Sequence, residues 1–277
     1  MNSIFLCPVC KLPLQIHQES KGLHCENKHH FDKNEHGYWL FSQPKKPKAD
    51  SRAVMRAKRY VLESGIYVPL AERMAKVIAE LPQIAAAQSL SQLDYDCGDG
   101  YFLRTLKNIL LEIKPELLLQ QTGICEAENA IFAAAKAEAS PTYMVSTLKQ
   151  LPFVNECFDL VTVIDKQLKG KELTRVLKQG GVLLQVAAGP RHLWQIREFI
   201  YPELTEKPVS ENLPKELALQ HSERISLTVS VSGEQAIALL EMTPYAWRAN
   251  DKVRHDIQRT RFDTLEIDFV INVMTRK

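Results

Sequence analysis

The middle of the chain alternates strand-like and helix-like segments, and this alternation constrains the fold more than any other feature. Short apolar runs, each about as long as one strand, occur at 90–93, 117–123, 142–145, 158–164 and 182–187. Helix-like segments occur at 101–109, 127–139 and 171–177. Alternation at this spacing is typical of parallel strands joined by crossover helices. The sequence therefore predicts a doubly wound α/β sheet, Rossmann-like, with helices on both faces.

The loop after the first of these strands has the composition of a cofactor loop. Residues 94–100 have the sequence DYDCGDG and lie between an apolar strand and a helix. Ligands of doubly wound sheets bind at the carboxyl ends of the strands, near the switch in strand order. Gly98 and Gly100 allow the backbone to approach a ligand, and Asp94 and Asp99 can accept hydrogen bonds from it. We therefore predict a cofactor at Gly98, Asp99 and Gly100, although Asp96 stands where a glycine is usual.

Four residues near the start of the chain have the spacing of a metal site. Cys7 and Cys10 form a C-x-x-C pair, and Cys25 and His29 form a C-x-x-x-H pair further on. Three thiolates and an imidazole from two turns can close a tetrahedron around zinc with no open position. So short a segment, with few large apolar residues, needs the metal in order to fold. We predict Cys7, Cys10, Cys25 and His29 as zinc ligands; the alternative is two turns with reduced cysteines.

The overall composition is that of an ordinary globular protein. The 277 residues are 45% hydrophobic and 25% charged, which suits one large domain and one small one. No apolar run is long enough to span a bilayer, and the first ten residues lack a signal-peptide pattern. The six cysteines do not form the even framework of a secreted disulfide protein. We therefore expect a cytoplasmic protein with no membrane partner.

Basic residues cluster after the metal segment, although the net charge of the chain is only +2. Two prolines predict an extended start for this cluster. Asp50 and Ser51 can cap a helix that carries the remaining basic residues. The cluster favours a strip that neutralises RNA phosphates; the alternative is a solvated linker and helix face. Its members are Lys45, Lys46, Lys48, Arg52, Arg56, Lys58 and Arg59.

Two further segments point to one class of doubly wound protein. LPFVNECFDLV at 151–161 and LTRVLKQGGVLL at 173–184 follow the order found in S-adenosylmethionine-dependent methyltransferases. That order is a Leu-Pro-Phe loop, a strand, a helix, a Gly-Gly turn and a strand. It favours a methyltransferase over a dehydrogenase or another nucleotide-binding protein.

Together these motifs resemble those of the bacterial 23S ribosomal RNA (guanine-N1)-methyltransferases over nearly the whole chain. The distinctive segments are CPVC, CENKHHFD, GIYVPL at 65–70, AAGPRHLWQI at 187–196 and ALLEMTPYAWRA at 238–249. The resemblance implies a zinc-binding knuckle at 1–43, a basic linker and helix at 44–64, and a methyltransferase domain at 65–277. It further implies methyl transfer from S-adenosylmethionine to N1 of a guanine in a large-subunit ribosomal RNA hairpin, and it makes a homodimer an expectation.

The resemblance also implies roles for individual residues. It places Tyr67, Gly98, Asp99 and His192 at the cofactor, in addition to the four zinc ligands. The Tyr67 ring can contact the sulfonium through a cation–π interaction, and His192 can hold the methionine carboxylate. The alternatives are a packing role for Tyr67 and a hydrogen bond at a helix start for His192.

The segment MTPYAWRA carries side chains that suit RNA recognition. Tyr245, Trp247 and Arg248 are residue types that stack on or orient an unpaired base. The alternative is an ordinary core position, in which Trp247 covers the sheet. Sequence alone does not choose between the two.

Three positions depart from the family pattern at the chemistry. Asp96 replaces a glycine and adds negative charge beside the methionine moiety, which should weaken cofactor binding. Cys125, with Glu126 one step on, stands where the second strand normally ends in an acidic residue that accepts from the ribose hydroxyls. Asp165 stands where the family has an aromatic residue, and it is the candidate catalytic base. These departures leave an alternative open: a catalytically impaired homologue that acts as an RNA-binding or ribosome-assembly protein.

The end of the chain has strand patterns as well. Residues 224–240 have a strand pattern that leads into a helix pattern, and residues 264–277 alternate apolar and polar side chains. We expect the second segment to form the last strand, at an edge of the sheet.

Overall fold

A computed structural model of the protein describes residues 3–20, 22–42, 52–168, 170–206 and 214–277. Its strands are β1 (Gln15–Ile16), β2 (Leu23–His24), β3 (His30–Phe31), β4 (Trp39–Leu40), β5 (Ser89–Tyr95), β6 (Leu118–Cys125), β7 (Thr142–Val145), β8 (Phe158–Ile164), β9 (Leu177–Ala188), β10 (Leu217–Val231) and β11 (Phe262–Arg276). Its α-helices are α1 (Arg52–Glu63), α2 (Val68–Glu80), α3 (Pro82–Ala85), α4 (Tyr101–Ile113), α5 (Glu128–Ala137), α6 (Glu172–Val176), α7 (Trp194–Arg197), α8 (Gly233–Glu241) and α9 (Asp251–Arg259).

Eight of the strands form one sheet, in the order β10-β11-β9-β8-β5-β6-β7-β4. The strands from β4 to β9 in this order are parallel, and β11 is antiparallel to both of its neighbours. The doubly wound fold predicted from the alternation of segments is confirmed. The chain proceeds from β5 outwards on one side through β6 and β7, and on the other side through β8 and β9. The order therefore switches between β5 and β8, and a crevice for a ligand is expected at their carboxyl ends.

The helices cover the sheet because their apolar residues recur at helical spacing. α4 buries Leu103, Leu106 and Leu110 along one side, and α2 buries Leu70, Met74 and Ile78 among others. Spacings of three and four residues place such side chains on one stripe of a helix. α2 and α4 pack against each other, and the loop before α4 connects it directly to the end of β5.

The prediction of an edge position for the last strand was wrong. β11 lies inside the sheet, between β9 and β10. Its adjacent residues Ile267, Asp268 and Phe269 are all buried, so both faces of the strand are covered. β10 is the edge strand, and its alternation of exposed and half-buried residues is that of a strand with one face in solvent. β9 also begins earlier than predicted, at Leu177 rather than at residue 182.

The N-terminal segment forms a small ribbon that docks on the sheet. β1, β2 and β3 make a three-stranded sheet of their own, while Trp39 and Leu40 of β4 pair in parallel with β7. A second attachment joins the Leu6 amide to the Pro152 carbonyl oxygen, at 2.9 Å. Trp39 is 5% exposed and packs in a core shared with Leu93 of the large sheet. The ribbon and the sheet therefore share one hydrophobic core.

The helix predicted after Ser51 is present as α1, which packs against α8. Lys45, Lys46 and Lys48 of the basic cluster lie outside the described residues. The domain boundaries at 43 and 64 stay predictions. Among the described residues, no helix is both long enough and apolar enough to cross a membrane.

Candidate active site and metal centre

Two turns of the ribbon bring four metal-ligating side chains together. Cys7 Sγ lies 3.5 Å from His29 Nδ1, Cys25 Sγ lies 3.3 Å from the same nitrogen, and Cys10 Sγ lies 3.6 Å from Cys25 Sγ. All four ligand atoms lie within 4.8 Å of one another. A tetrahedral site with Zn–S bonds of about 2.3 Å has edges of roughly 3.8 Å, so the cluster has the size that zinc requires. The four predicted ligands fit a closed structural zinc site.

Backbone hydrogen bonds close the two turns, and one backbone amide also favours the thiolate form of Cys10. The Lys11 amide donates to the Cys7 carbonyl oxygen, and the Lys28 amide donates to the Cys25 carbonyl oxygen. Lys11 and Lys28 both have a positive φ, of 63° and 61°, although the hydrogen bond spans four residues in the first turn and three in the second. A hydrogen bond from the Leu12 amide is the main cause that lowers the pKa of Cys10, to about 6. A thiol with a lowered pKa is more readily deprotonated for metal binding.

A continuous cleft runs along the carboxyl ends of the central strands. An inner cavity of about 160 Å³ is lined by Tyr67, Phe102, His192 and Phe269, among others. An outer cavity of about 710 Å³ extends from there past Asp96 to α1. The two cavities share five lining residues: Asp165, Ala188, Met242, Thr243 and Pro244. The crevice expected from the strand order is therefore present.

Tyr67 lies immediately before α2 and forms part of the inner cavity wall. It is 5% exposed, and its ring contacts those of Phe102 and Phe269, with centroids 6.3 and 5.8 Å apart. Burial, with a further contribution from the charge of Asp165, raises the pKa of Tyr67 well above its usual range. The phenol is therefore neutral at physiological pH. The packing role and the cavity-lining role of Tyr67 coexist.

His192 lies opposite, in the turn between β9 and α7. Burial lowers the pKa of His192 to about 4, so the ring is neutral at physiological pH. Its Nδ1 accepts a hydrogen bond from the Asp268 amide at 3.2 Å. The proton of the neutral ring is therefore assigned to Nε2. His192 thus brings a neutral N–H donor to the inner cavity.

Asp268 of β11 holds this turn in place, a role that was not predicted from the sequence. Its fully buried carboxylate accepts two hydrogen bonds from Arg224, at 2.7 and 2.9 Å, and one from the Arg191 amide, at 2.8 Å. A Cβ on Gly189 would collide with the same carboxylate. One signal was available: Asp268 interrupts an apolar strand between Ile267 and Phe269. An acidic residue within a buried strand requires partners.

The three predicted residues of the glycine loop differ in what they offer a ligand. Gly98 has a φ of 57°, and no atom lies within 4 Å of where its Cβ would be, so the backbone there is open to a close approach. A Cβ on Gly100 would lie 2.8 Å from the Tyr143 hydroxyl oxygen, so this glycine is required by packing. The Asp99 carboxylate accepts from the Tyr101 amide at the start of α4. Their contacts with a cofactor stay predictions, and Gly98 fits one best.

Asp96 connects the ends of three strands at the cleft. It has a φ of 62°, in the left-handed region that a glycine would occupy without strain. Its Oδ1 accepts a hydrogen bond from Cys125 Sγ at the end of β6, at 3.1 Å. Its Oδ2 pairs with Lys166 Nζ just after β8, at 2.8 Å. Asp96 therefore has a glycine-like backbone conformation and places a carboxylate in the crevice.

A chain of buried polar groups lies beneath this loop and was not expected from sequence. Hydrogen bonds join Gln121 of β6 to Gln92 of β5, and Gln92 to Thr162 of β8. Thr162 in turn donates to Asp94 Oδ1 at 2.9 Å. Burial, with a smaller contribution from Asp96, raises the pKa of Asp94 to about 7. Asp94, expected to accept a hydrogen bond from the ligand, is instead buried and accepts one from Thr162. These contacts depend on the strand register.

Asp165 stands at the junction of the two cavities. It follows β8 with a φ of 53°, and its amide donates to the Val186 carbonyl oxygen at 2.8 Å. Desolvation by the cleft walls raises the pKa of Asp165, although Lys166 and Lys58 oppose this. The side chain itself is exposed to the cleft. A carboxyl group of this kind is a reasonable acceptor for a substrate proton.

The MTPYAWRA segment leads from the cleft to the surface. Thr243 and Pro244 line both cavities, and the Tyr245 hydroxyl is buried with no hydrogen-bond partner among the described residues. Trp247 is 73% exposed, so the alternative in which it covers the sheet is wrong. The Arg248 guanidinium lies 4.5 Å from the centroid of the Trp247 ring. The two side chains form an aromatic and cationic surface close to the cleft.

Two segments of the chain match known protein families, one around the metal cluster and one that begins at the end of β5. Residues 5–41 match the RlmA N-terminal zinc-ribbon family, and residues 93–185 match the methyltransferase domain family. The chain is an S-adenosylmethionine-dependent methyltransferase with a zinc ribbon. Its ribbon carries the four candidate zinc ligands, and its cleft lies at the switch point of the sheet.

Two relatives of this methyltransferase match most of its length. A Bacillus subtilis (strain 168) protein named "Putative 23S rRNA (guanine-N(1)-)-methyltransferase YxjB" is 29% identical over 98% of this chain and 97% of its own. The 23S rRNA (guanine(748)-N(1))-methyltransferase of Streptomyces fradiae is 27% identical over 87% of this chain and 85% of its own. The resemblance to the 23S rRNA (guanine-N1)-methyltransferases inferred from the motifs is confirmed.

Proposed function

We propose that this methyltransferase modifies N1 of a guanine in 23S ribosomal RNA. The observation that carries the proposal is that both relatives named for this reaction match across most of the chain. The match extends over the ribbon as well as the methyltransferase domain. A small-molecule methyltransferase would leave the ribbon and the basic face of α1 without a role.

The cleft offers the groups that this chemistry needs. When bound, S-adenosylmethionine supplies an electrophilic methyl group. Guanine N1 carries a proton that must be lost, so a nearby base and accurate positioning both contribute to the rate. Asp165 lies at the junction of the two cavities, where its raised pKa makes it a better proton acceptor than a solvated carboxylate. We assign it the role of base.

Holding the cofactor falls to the inner cavity and to the loop after β5. The neutral His192 ring can donate through Nε2 to the methionine carboxylate. Tyr67 presents an aromatic ring that can contact the sulfonium. Gly98 offers an open backbone at the loop.

RNA can approach the cleft over a surface of suitable chemistry. Lys58 of α1 lines the outer cavity, and Arg56 and Arg59 lie on the same helix. Trp247 and Arg248 offer stacking on an unpaired base, which is the usual basis of recognition in single-stranded RNA. The guanine would reach Asp165 from this side.

A second candidate function is suggested by one contact. The Asp96–Lys166 ion pair spans the region where a cofactor is expected to lie. If the pair excludes the cofactor, the protein is an RNA-binding or ribosome-assembly factor. The two candidates differ in whether purified protein changes its RNA chemically.

The test is a methylation assay on unmodified 23S RNA transcripts. The zinc-loaded protein is incubated with transcript and S-adenosylmethionine, and digested nucleosides are analysed by mass spectrometry for 1-methylguanosine. Primer extension then maps the position, because a methyl group on N1 blocks base pairing. We expect one strong stop, and its loss in Asp165→Asn while that variant still binds S-adenosylhomocysteine. Methylation at another atom, or RNA binding without methylation, would contradict the proposal.

A further inference from the structure

β6 ends without the carboxylate that a sheet of this type usually carries there. In doubly wound nucleotide-binding sheets, an acidic residue at the end of the second strand accepts hydrogen bonds from the ribose hydroxyls. Cys125 occupies this position, and its buried Sγ accepts from the Ala127 amide at 3.4 Å. A thiol is only a weak acceptor. Another residue must therefore supply the carboxylate.

The next residue is not well suited to that task. Glu126 is exposed, and its Oε1 accepts from the Leu148 amide at 3.0 Å. This contact fastens the segment that follows β7 to the end of β6. This one contact leaves acceptor positions free, but Glu126 is exposed, so water competes for those positions and makes it the weaker candidate.

Asp96 places a carboxylate next to the vacant position from the neighbouring strand. Its Oδ1 lies 3.1 Å from Cys125 Sγ. Because Sγ and the Cγ of an aspartate are both bonded to Cβ, a carboxylate at 125 would lie beside that of Asp96. Aspartate is also among the few side chains tolerated at a positive φ, so the loop keeps a glycine-like backbone at 96.

The charge of Asp96 is balanced at the same place. Lys166 Nζ lies 2.8 Å from Oδ2, and the Asp96 side chain is 18% exposed, towards the outer cavity. A carboxylate has about four acceptor positions. The contacts with Cys125 and Lys166 therefore leave capacity for the two hydroxyls of a ribose.

We propose that positions 96 and 125 have exchanged roles, so that Asp96 accepts the ribose hydroxyls of the S-adenosyl group and Cys125 supports it. The proposal rests on the proposed function, because it takes that group as the ligand of the cleft. Asp96 is then a binding residue for the cofactor. The departure at 125 compensates for the departure at 96.

The test is calorimetric titration of zinc-loaded protein with two probes, S-adenosylhomocysteine and its 2′-deoxy analogue. A hydrogen bond to a charged acceptor predicts that the unmodified protein prefers the first probe about tenfold or more. Asp96→Gly should lose this preference, and it should fold, because glycine adopts the same φ without strain. The double variant Asp96→Gly/Cys125→Asp should regain the preference. Glu126→Gln is the matched control, and it should keep the preference of the unmodified protein.

Two results would overturn the exchange of roles while the proposed function survives. One is equal affinity of the unmodified protein for both probes. The other is tighter binding of both probes by Asp96→Gly, which would make Asp96 a barrier. Failure of every folded variant to bind either probe would instead overturn the cofactor assignment, and the proposed function would fail with it.

Discussion

The zinc ribbon and the cofactor loop each bring polar side chains together at a candidate binding site. The ribbon takes them from nearby positions in the chain, and the loop takes them from distant ones. In the ribbon, all four candidate ligand side chains come from one segment, 7–29, and two turns position them. At the cofactor loop, the groups that surround Asp96 come from positions 125 and 166, at the ends of two other strands. A local site depends on the conformation of two turns, whereas a site at strand ends depends on the whole sheet. Substitutions should therefore have all-or-none effects in the ribbon and graded, compensable effects at the loop.

The largest expected effect is loss of the metal. Cys25→Ser should abolish zinc binding, and because metal affinity contributes several kcal/mol to folding, the melting temperature should fall by more than about 10 °C. Zinc content and thermal unfolding measure the two effects. Cys157→Ser, at a half-buried cysteine outside the ribbon, should keep the zinc. Full zinc occupancy in Cys25→Ser would exclude it as a ligand.

The second largest effect is expected on RNA binding. It concerns a surface that lies outside both the zinc ribbon and the cofactor loop. Trp247→Ala should weaken binding of the RNA hairpin about tenfold, because stacking of one base on an aromatic ring contributes roughly 1–3 kcal/mol. Trp247→Phe should retain most of the affinity, since it keeps an aromatic face. Fluorescence anisotropy with labelled RNA measures both. An unchanged affinity in Trp247→Ala would remove this surface from the RNA interface.

A smaller effect is expected from the donor in the inner cavity. His192→Asn should keep an acceptor for the Asp268 amide but lose the Nε2 donor, so the affinity for S-adenosylhomocysteine should fall about five- to tenfold. His192→Gln, which can place an amide N–H near the Nε2 position, should recover part of it. Calorimetry distinguishes these cases. Equal affinity of both variants and the unmodified protein would assign His192 to packing alone.

The last predicted effect is a dependence of stability on pH, and it concerns the buried carboxyl beneath the loop. The pKa of Asp94 is about 7 in the folded protein and about 3.9 when unfolded, so the folded state binds more protons between these values. The unmodified protein should therefore lose stability as the pH rises from about 4 to 7. Asp94→Asn keeps the acceptor for Thr162 and should lack this loss. The difference in melting temperature between the two proteins should grow in favour of Asp94→Asn over that range.

Both proteins in that comparison carry the same zinc ribbon, so acid effects on the metal cancel. A difference in melting temperature that stays constant with pH would mean that Asp94 does not titrate in this range.

Much of the fold was predictable because apolar runs of strand length are a local property. The predicted strands at 142–145 and 158–164 coincide with β7 and β8. The edge position of the last strand was wrong, because alternation along a strand does not reveal whether other strands pair with both of its edges. β10 pairs with the edge of β11 that β9 leaves free.

The metal cluster and the strand-loop-helix unit at Gly98 follow from short-range patterns, since turns, spacing and periodicity are encoded by neighbours in the chain. The sheet decided everything that depends on register: the support of His192 by Asp268, the chain of hydrogen bonds to Asp94, and the meeting of Asp96 with Cys125 and Lys166. Strand pairing joins residues that are distant in sequence, and a shift of one residue would turn each of these side chains to the other face. The departures that looked like losses in the sequence become mutual contacts only when the strands are side by side.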